Sequence, residues 1–240
     1  MQTSTNSYGF TFNGHHSSEF DLKVLSNKGM SLPAKTKVTT QLPYANGVID
    51  LSNVYGANNY GERTITFPCT VPWGFNNAED LYLLWTEIIN WLDEPTGKVK
   101  LVDDVMPDFY YLGEVQAAPT IEEKSVYSTI TIVFQCYPYR FRHADTTDEW
   151  DPFMFDLDVA QNTEFDVDHR LEIMLVNACQ ASVPLTIDAS SEMVITTGDL
   201  VYDVAQGKTK ESEIVLMPGE NKLIIEGSGH IAFDWYEKVI

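Results

Sequence analysis

The five histidines are the residues of this chain best suited to act as general bases or metal ligands. His15 and His16 are adjacent, so on a strand their side chains would point to opposite faces, and the sequence has no HExxH pair. It also lacks the GxSxG, GxxxxGK[ST] and GxGxxG patterns of hydrolase, phosphate and dinucleotide sites. The sequence therefore predicts no catalytic residue, no metal ion and no cofactor, and hence a protein that is not an enzyme.

Carboxylates are abundant enough to raise two further kinds of site. Asp156 with Asp158, and Asp166 with Asp168, have a spacing that could chelate calcium, but the glycine-containing loop of an EF-hand is missing. Two carboxylates about 5 to 9 Å apart would suit glycoside hydrolysis. With 35 acidic residues such a pair arises by chance, so no catalytic pair is nominated.

The overall charge limits the classes of partner. The 35 acidic and 15 basic residues give a formal net charge of -20, which repels nucleic acid. An acidic wall past which DNA slides without sticking is consistent with this charge, as is an acidic surface that serves solubility alone. No apolar run approaches the roughly 18 to 20 residues of a membrane span, and the first twelve residues do not resemble a signal peptide.

The three cysteines, Cys69, Cys136 and Cys179, are widely separated and odd in number. They form neither a disulfide framework nor a CxxC metal pair. We interpret them as small buried apolar residues of a protein from a reducing compartment.

Two segments in the first half alternate apolar and polar residues as half-buried strands do. Residues 64–71 place Ile65, Phe67, Cys69 and Val71 on one face, and residues 126–136 place Val126, Ile130, Ile132, Phe134 and Cys136 on one face. A single helix is predicted between them, because Leu81, Leu84, Trp85, Ile88 and Leu92 recur at helical spacing. Asn77 is its predicted N-cap, and Pro95 and Gly97 follow its end.

The composition changes after residue 142, where we place a domain boundary. Residues 145–168 hold nine acidic residues and no Lys or Arg, which predicts a connecting segment. The remainder consists of short apolar runs typical of a β-sandwich. Pro218 with Gly219 predicts a turn before a strand, and Gly227–Gly229 predicts a hairpin. In the last strand Ile231, Phe233 and Trp235 are predicted to face inward.

Several different short motifs follow one another along the chain in a defined order. They comprise Phe12, Asn13, Gly14, Phe20, Pro43, Asn46, Gly47, Arg63 and Trp91, followed by Pro218, Gly219, Asn221 and Gly229. In this order they resemble the siphophage distal tail protein family, with its FNG turn, its proline-bounded segment and NG turn, its one helix and its C-terminal PG turn. The resemblance implies that these positions hold the fold rather than perform chemistry. Independently of the family, Gly14 and the pair Asn46 and Gly47 suit tight turns with positive φ.

The resemblance implies a mainly β fold in two domains. Residues 1–142 would form a β-barrel-like or split-barrel domain with one α-helix, and residues 143–240 a galectin-like β-sandwich that begins with the acidic segment. It further implies a homo-hexameric ring at the tail tip of the virion, assembled in the host cytoplasm, with a lumen for DNA. The implied partners are the tail tube protein, a tail-tip or tail-associated lysin protein and a receptor-binding protein, without membrane contact.

Two other classes of function remain open at this point. A carbohydrate-binding module would suit the lectin-like second half, with Trp235 as the aromatic residue to test. Galectin-type sites combine His, Asn, Arg and Trp. After residue 143 the only arginine is Arg170 and the only histidines are His169 and His230, which argues against strong sugar binding. A cell-wall hydrolase is the third class.

Overall fold

The computed structural model describes residues 8–44, 46–52, 59–72, 78–123, 127–143 and 159–240. The chain forms two compact units, residues 1–140 together with Ile240, and residues 141–239. The predicted fold class is confirmed, because the described residues are mainly β with a single α-helix.

The first unit is built on one antiparallel sheet with the helix α1 (Ala78–Asp93) and a short 3-10 turn (Ser17–Phe20). Its strands are β1 (Phe10–Phe12), β2 (His15–His16), β3 (Lys23–Val24), β4 (Gly29–Met30), β5 (Thr39–Thr40), β6 (Ile49–Asp50), β7 (Arg63–Pro72), β8 (Val99–Asp103), β9 (Tyr110–Val115), β10 (Thr120–Glu123) and β11 (Tyr127–His143). The sheet order is β2-β1-β8-β9-β11-β7-β3, with β10 paired to β11 and β4 to β7. Strands β5 and β6 form a separate two-stranded sheet.

The two alternating segments are the central strands β7 and β11, as predicted. They pair antiparallel from Tyr127 opposite Pro72 to Cys136 opposite Arg63. The predicted inward residues of both strands are buried; Val126 lies outside the described residues. Alternation places one face of each strand on the core, and the large residues there pack against the helix.

The helix is also confirmed, and it covers this sheet. Leu81, Trp85, Ile88 and Leu92 are buried and Leu84 is half-buried, as the helical spacing predicts. The helix ends at Asp93, before Pro95; its predicted cap, Asn77, lies outside the described residues. No helix in the described part of the chain is long and apolar enough to cross a membrane.

The second unit is built on an antiparallel sheet with an apolar core of its own. The strands of this sheet are β12 (Glu164–Asn177), β13 (Val183–Ala189), β14 (Met193–Thr197), β15 (Leu200–Val204), β16 (Gly207–Leu216) and β17 (Gly219–Asp234). A further strand, β18 (Tyr236–Val239), follows in the chain and is not part of this sheet. The order is β15-β14-β17-β13-β16, and β12 pairs with β17 along its whole length. As predicted, Ile231, Phe233 and Trp235 are buried.

The predicted hairpin at Gly227–Gly229 is wrong, because both glycines lie inside the continuous strand β17. On one side β17 pairs with β14 at residues 224–226 and then with β13 at residues 231–234. The glycines, with φ of 144° and 141°, occupy the point where the strand changes partner. They permit a bend that carries one strand around a corner of the core.

The prediction that residues 145–168 form a connecting segment is wrong for the last five of these residues. Residues 164–168 form the first part of β12, where Phe165 and Val167 turn towards the core and the acidic residues between them face solvent. This alternation is difficult to recognise in the sequence, because it is short and three of its five residues are carboxylates. Asp166 and Asp168 therefore lie on an exposed strand face, and Asp156 and Asp158 lie outside the described residues.

Two of the predicted turns are observed, and the third differs. Asn13 and Gly14, with φ of 50° and 84°, join β1 to β2, and Gly219, with φ of 89°, begins β17 directly after Pro218. Asn46 and Gly47 do not form a two-residue turn, because β5 and β6 are joined by the longer loop 41–48. Pairing of only two residues on each strand leaves this loop outside the ladder.

Candidate assembly surface

The N-terminal motif residues attach the first hairpin to the end of the helix. Trp91 Nε1–H donates to the Phe12 carbonyl at 3.1 Å, and the Phe20 ring stacks on Trp91 at 4.3 Å. The Asn13 side-chain amide donates to Glu94 Oε2 at 3.0 Å, beyond the last turn of the helix. These contacts join residues 12–20 to the C-terminal end of the helix.

Arg63 is a buried cation with a structural task. Its side chain is enclosed, its Nε–H donates to the Ser31 carbonyl at 3.2 Å, and its guanidinium lies 5.2 Å from the Tyr111 ring centre. The Nη1–H of Arg63 donates to the Pro138 carbonyl at 3.4 Å. Ser31 is the first residue after β4, so Arg63 fixes the point from which the chain leaves the sheet.

The C-terminal motif residues close the turn between β16 and β17. The Asn221 side-chain amide donates to the carbonyls of Met217 and Gly219 at 2.7 and 2.9 Å, and its Oδ1 accepts from the Met217 N–H at 2.7 Å. Pro218 lies within this turn. An added Cβ at Gly229 would lie 2.5 Å from the Ser190 hydroxyl, so the glycine allows the Ser190 side chain to lie close to the backbone of β17.

Residues 31–52, which we call the arm, leave the sheet after β4 and return towards β7. Pairing of β5 with β6 shapes the arm, and the Leu51 N–H donates to the Val38 carbonyl at 2.8 Å. Lys37 Nζ donates to Asp50 Oδ2 at 2.7 Å. This bond, together with hydrogen bonds from Ser52, holds the pKa of Asp50 well below its usual range. The motif residues Pro43, Asn46 and Gly47 lie on the arm.

The arm is apolar and exposed. Seven of its large apolar side chains are at least two-fifths exposed: Leu32, Val38, Leu42, Tyr44, Val48, Ile49 and Leu51. Of its described residues only Pro33 is buried, and none belongs to the core of the first unit. A cluster of exposed apolar residues of this kind marks an interaction surface, because water is a poor solvent for it.

A small cavity lies at the base of the arm. It measures roughly 170 Å³ and is lined by Lys28, Met30, Asp103, Val105, Met106, Phe109, Tyr111 and Arg140. Lys28 pairs with Asp103; burial alone would lower the pKa of Lys28, but this partner raises it. The cavity is smaller than the roughly 300 to 1,000 Å³ of most small-molecule sites, so it suits a single side chain better than a substrate.

A Ser–His–Asp arrangement that the sequence did not predict lies beside the first hairpin. Ser18 Oγ lies 2.6 Å from His16 Nδ1, and His16 Nε2 lies 3.1 Å from Asp104 Oδ2. A hydrolase triad joins the same three residue types, but its serine bonds to Nε2 and its acid to Nδ1. The same atoms have structural partners. The Ser18 N–H donates to His16 Nδ1 at 3.2 Å, which makes His16 the N-cap of the 3-10 turn, and Asp104 accepts from the Gly9 N–H at 2.8 Å.

The cysteines are buried, as predicted. Burial raises the pKa of Cys69 and Cys136 to about 12 and that of Cys179 to about 11. All three thiols therefore stay protonated at neutral pH and are poor nucleophiles. Within the described residues, no three His, Cys, Asp or Glu side chains come together as a metal site.

The residues considered for sugar binding do not form a common platform. Trp235 is only 3% exposed and belongs to the core of the second unit, so its ring is not available for stacking on a sugar. His230 is exposed and its Nδ1 lies 3.0 Å from Asp166, while Arg170 pairs with Glu226 and His169 with Asp168.

Comparison with known proteins identifies the family. The sequence profile described as "Phage tail protein RIFT-related domain", Sipho_tail, matches residues 16–136, half of the chain, and this range includes the arm and the helix. No curated protein sequence matches the chain.

One solved structure shows the same fold at low identity. The SPP1 Dit (gp 19.1) protein, described as a paradigm of the hub adsorption apparatus in phages that infect Gram-positive bacteria, is 13% identical, with 97% of this chain and 99% of that chain covered and a TM-score of 0.64. A chain of the phage p2 baseplate in its activated conformation with strontium is 10% identical, with coverage of 96% and 97% and a TM-score of 0.43. The motifs of the sequence, the fold and the profile match agree: the chain belongs to the Sipho_tail family of phage tail proteins.

Proposed function

We propose that this phage tail protein is a distal tail protein, a structural hub without enzymatic activity. It closes into a homo-hexameric ring that joins the tail tube to the tip or baseplate and leaves a lumen for DNA. The single observation that carries the proposal is the arm, whose apolar side chains are exposed on a domain that belongs to a phage tail family.

Ring closure explains why such a surface exists. In a ring of identical subunits one patch of each copy contacts a different patch of its neighbour, and a stable contact buries more than about 1,000 Å². The arm contributes nothing to the core of its own unit, so its apolar residues are available for a neighbour. The acidic net charge of -20 suits a lumen that DNA passes without binding.

The two halves have different tasks in this proposal. Residues 1–142 form the ring, and residues 143–240, a galectin-like domain, are displayed outside it. The tail tube protein binds one side of the ring, and a tail-tip or tail-associated lysin protein and the receptor-binding protein bind the other. The protein is located at the tail tip of the virion after assembly in the host cytoplasm, and it requires neither a cofactor nor a membrane.

Native mass spectrometry of the full chain over a range of concentrations tests the ring. We expect hexamers that increase with concentration and are lost in the arm variant Leu32→Asp combined with Tyr44→Asp. Val201→Asp is a matched control, because Val201 is a 64% exposed apolar residue of the second unit. A wild-type chain that stays monomeric at every concentration, also with tube protein added, contradicts the proposal.

A cell-wall hydrolase is the second candidate, because Ser18, His16 and Asp104 form one hydrogen-bonded chain of the residue types that hydrolases use. Zymography on bacterial walls distinguishes the two functions. We expect no lysis by the wild-type chain. Lysis that Ser18→Ala abolishes, and that His15→Ala leaves intact, would establish the hydrolase instead.

A further inference from the structure

We infer that the outer face of α1 is the surface that receives the arm of a second copy of this chain. The arm and the helix face are then the two different patches of one contact that repeats around the ring. The inference rests on the proposed function and adds to it the location of the surface that receives the arm.

The exposed side of α1 carries three large apolar residues among its polar and acidic ones. Tyr82, Leu83 and Ile89 are 55%, 59% and 41% exposed. Leu83 lies opposite the face that packs on the sheet, and Tyr82 and Ile89 lie along the edge of that face. Tyr82 and Ile89 lie two turns apart in one row of side chains, and Leu83 lies in the neighbouring row. A solvent-facing row on a surface helix is normally polar, so these residues indicate a surface that another protein covers.

The charges of the two surfaces are complementary. The helix carries four acidic residues and no Lys or Arg: Glu79, Asp80, Glu87 and Asp93. The arm carries Lys35, Lys37 and Asp50, a net charge of +1 against -4 on the helix, and Lys35 is the lysine that has no carboxylate partner on the arm itself. Opposite charges around an apolar centre select the partner and the register of a contact.

A second copy is the occupant because one chain carries both surfaces. Contact between unlike patches of identical subunits continues from copy to copy and closes when the rotation permits, which is the geometry that a ring requires. The arm spans residues 31–52, comparable to the roughly 20 to 30 residues that each partner contributes to a standard interface.

Site-specific photo-crosslinking of the full chain tests the contact. A benzophenone amino acid replaces Leu83, and in a parallel control it replaces Val201, with equal amounts of normal and nitrogen-15-labelled chains so that mass spectrometry counts only links between copies. We expect Leu83 to link to residues 31–52 of another copy, and Val201 to give no such link.

Charge reversal provides a second measurement. Glu87→Lys and Lys35→Glu should each weaken self-association about two- to fivefold, as expected for exposed charges at a rim, and the double variant should recover part of the loss. Two outcomes overturn the inference and leave the ring standing. In the first, hexamers form but Leu83 links to residues outside the arm. In the second, neither single charge reversal weakens self-association and the double variant recovers nothing. A chain that never self-associates overturns both.

Discussion

The arm and the β7–β11 pair are both rich in apolar residues, but their burial is opposite. In β7, Ile65 and Phe67 are at most 1% exposed, whereas on the arm Val48 and Ile49 are 62% and 45% exposed. The strands alternate, so one face meets a helix that covers it. Neighbouring arm residues are apolar on both sides of the chain, and no described element of the same chain covers either side.

The comparison separates residues that hold the fold from residues that are available for assembly. Burial of a large apolar side chain contributes about 1.5 to 3 kcal/mol, and the core strands gain that free energy within the chain. A two-stranded ribbon is only marginally stable in water, so the arm depends on its anchor at Arg63. Changes in the core should therefore lower the free energy of unfolding, and changes on the arm should affect assembly.

Phe134→Ala should have the largest effect on stability. The Phe134 ring lies 4.8 Å from that of Phe12 and 5.5 Å from that of Phe10, and truncation leaves a cavity among them. We expect a loss of about 3 to 5 kcal/mol in the free energy of unfolding by urea. A loss below about 1 kcal/mol would show that the core is looser than its packing indicates.

Gly113→Ala tests how tightly the same core is filled. An added Cβ would lie 2.8 Å from the Cys136 sulfur, so overpacking should cost about 1 to 3 kcal/mol in thermal or urea unfolding. Gly97→Ala is the control, because nothing lies within 4 Å of an added Cβ there. Adding Cys136→Ala to the Gly113 variant should remove part of the strain; no relief would refute this explanation.

Leu32→Ala should leave the stability of the isolated chain almost unchanged. Leu32 is 77% exposed, and exposed substitutions change the free energy of unfolding by less than about 0.5 kcal/mol. Urea unfolding at low concentration measures this, and light scattering at high concentration should show weaker self-association. A large loss of stability in the monomer would mean that the arm packs on its own chain.

Acidification should have the smallest effect, confined to the arm. Because the pKa of Asp50 is depressed in the folded chain, its bond to Lys37 stabilises the arm above the ordinary Asp pKa of 3.8 and is lost as the pH falls through the folded value. We expect the NMR signals of the Val38 and Leu51 amides to shift at low pH while those of β7 stay unchanged. In Asp50→Asn this titration should disappear; its persistence would assign it to another group.

Two failures of sequence-based prediction share one cause. Gly227–Gly229 has the composition of a hairpin turn, yet β17 continues through it, because β12 on one side and two successive partners on the other hold the bend. Likewise, the sequence did not predict the contacts among Ser18, His16 and Asp104, since 88 residues separate the histidine from the aspartate. Both features depend on contacts between distant segments, which local composition does not record.

By itself, the sequence determined the elements whose pattern matches the geometry of one chain: the alternating strands β7 and β11, the amphipathic helix, the buried cysteines and the order of turn motifs that indicated a phage tail family. Only the tertiary structure decided which apolar residues stay uncovered. Leu32 in the arm and Leu81 in the helix are equally hydrophobic, but one is 77% exposed and the other 2%. Burial depends on what the rest of the fold places opposite a residue, and this is the property that separates core from assembly surface.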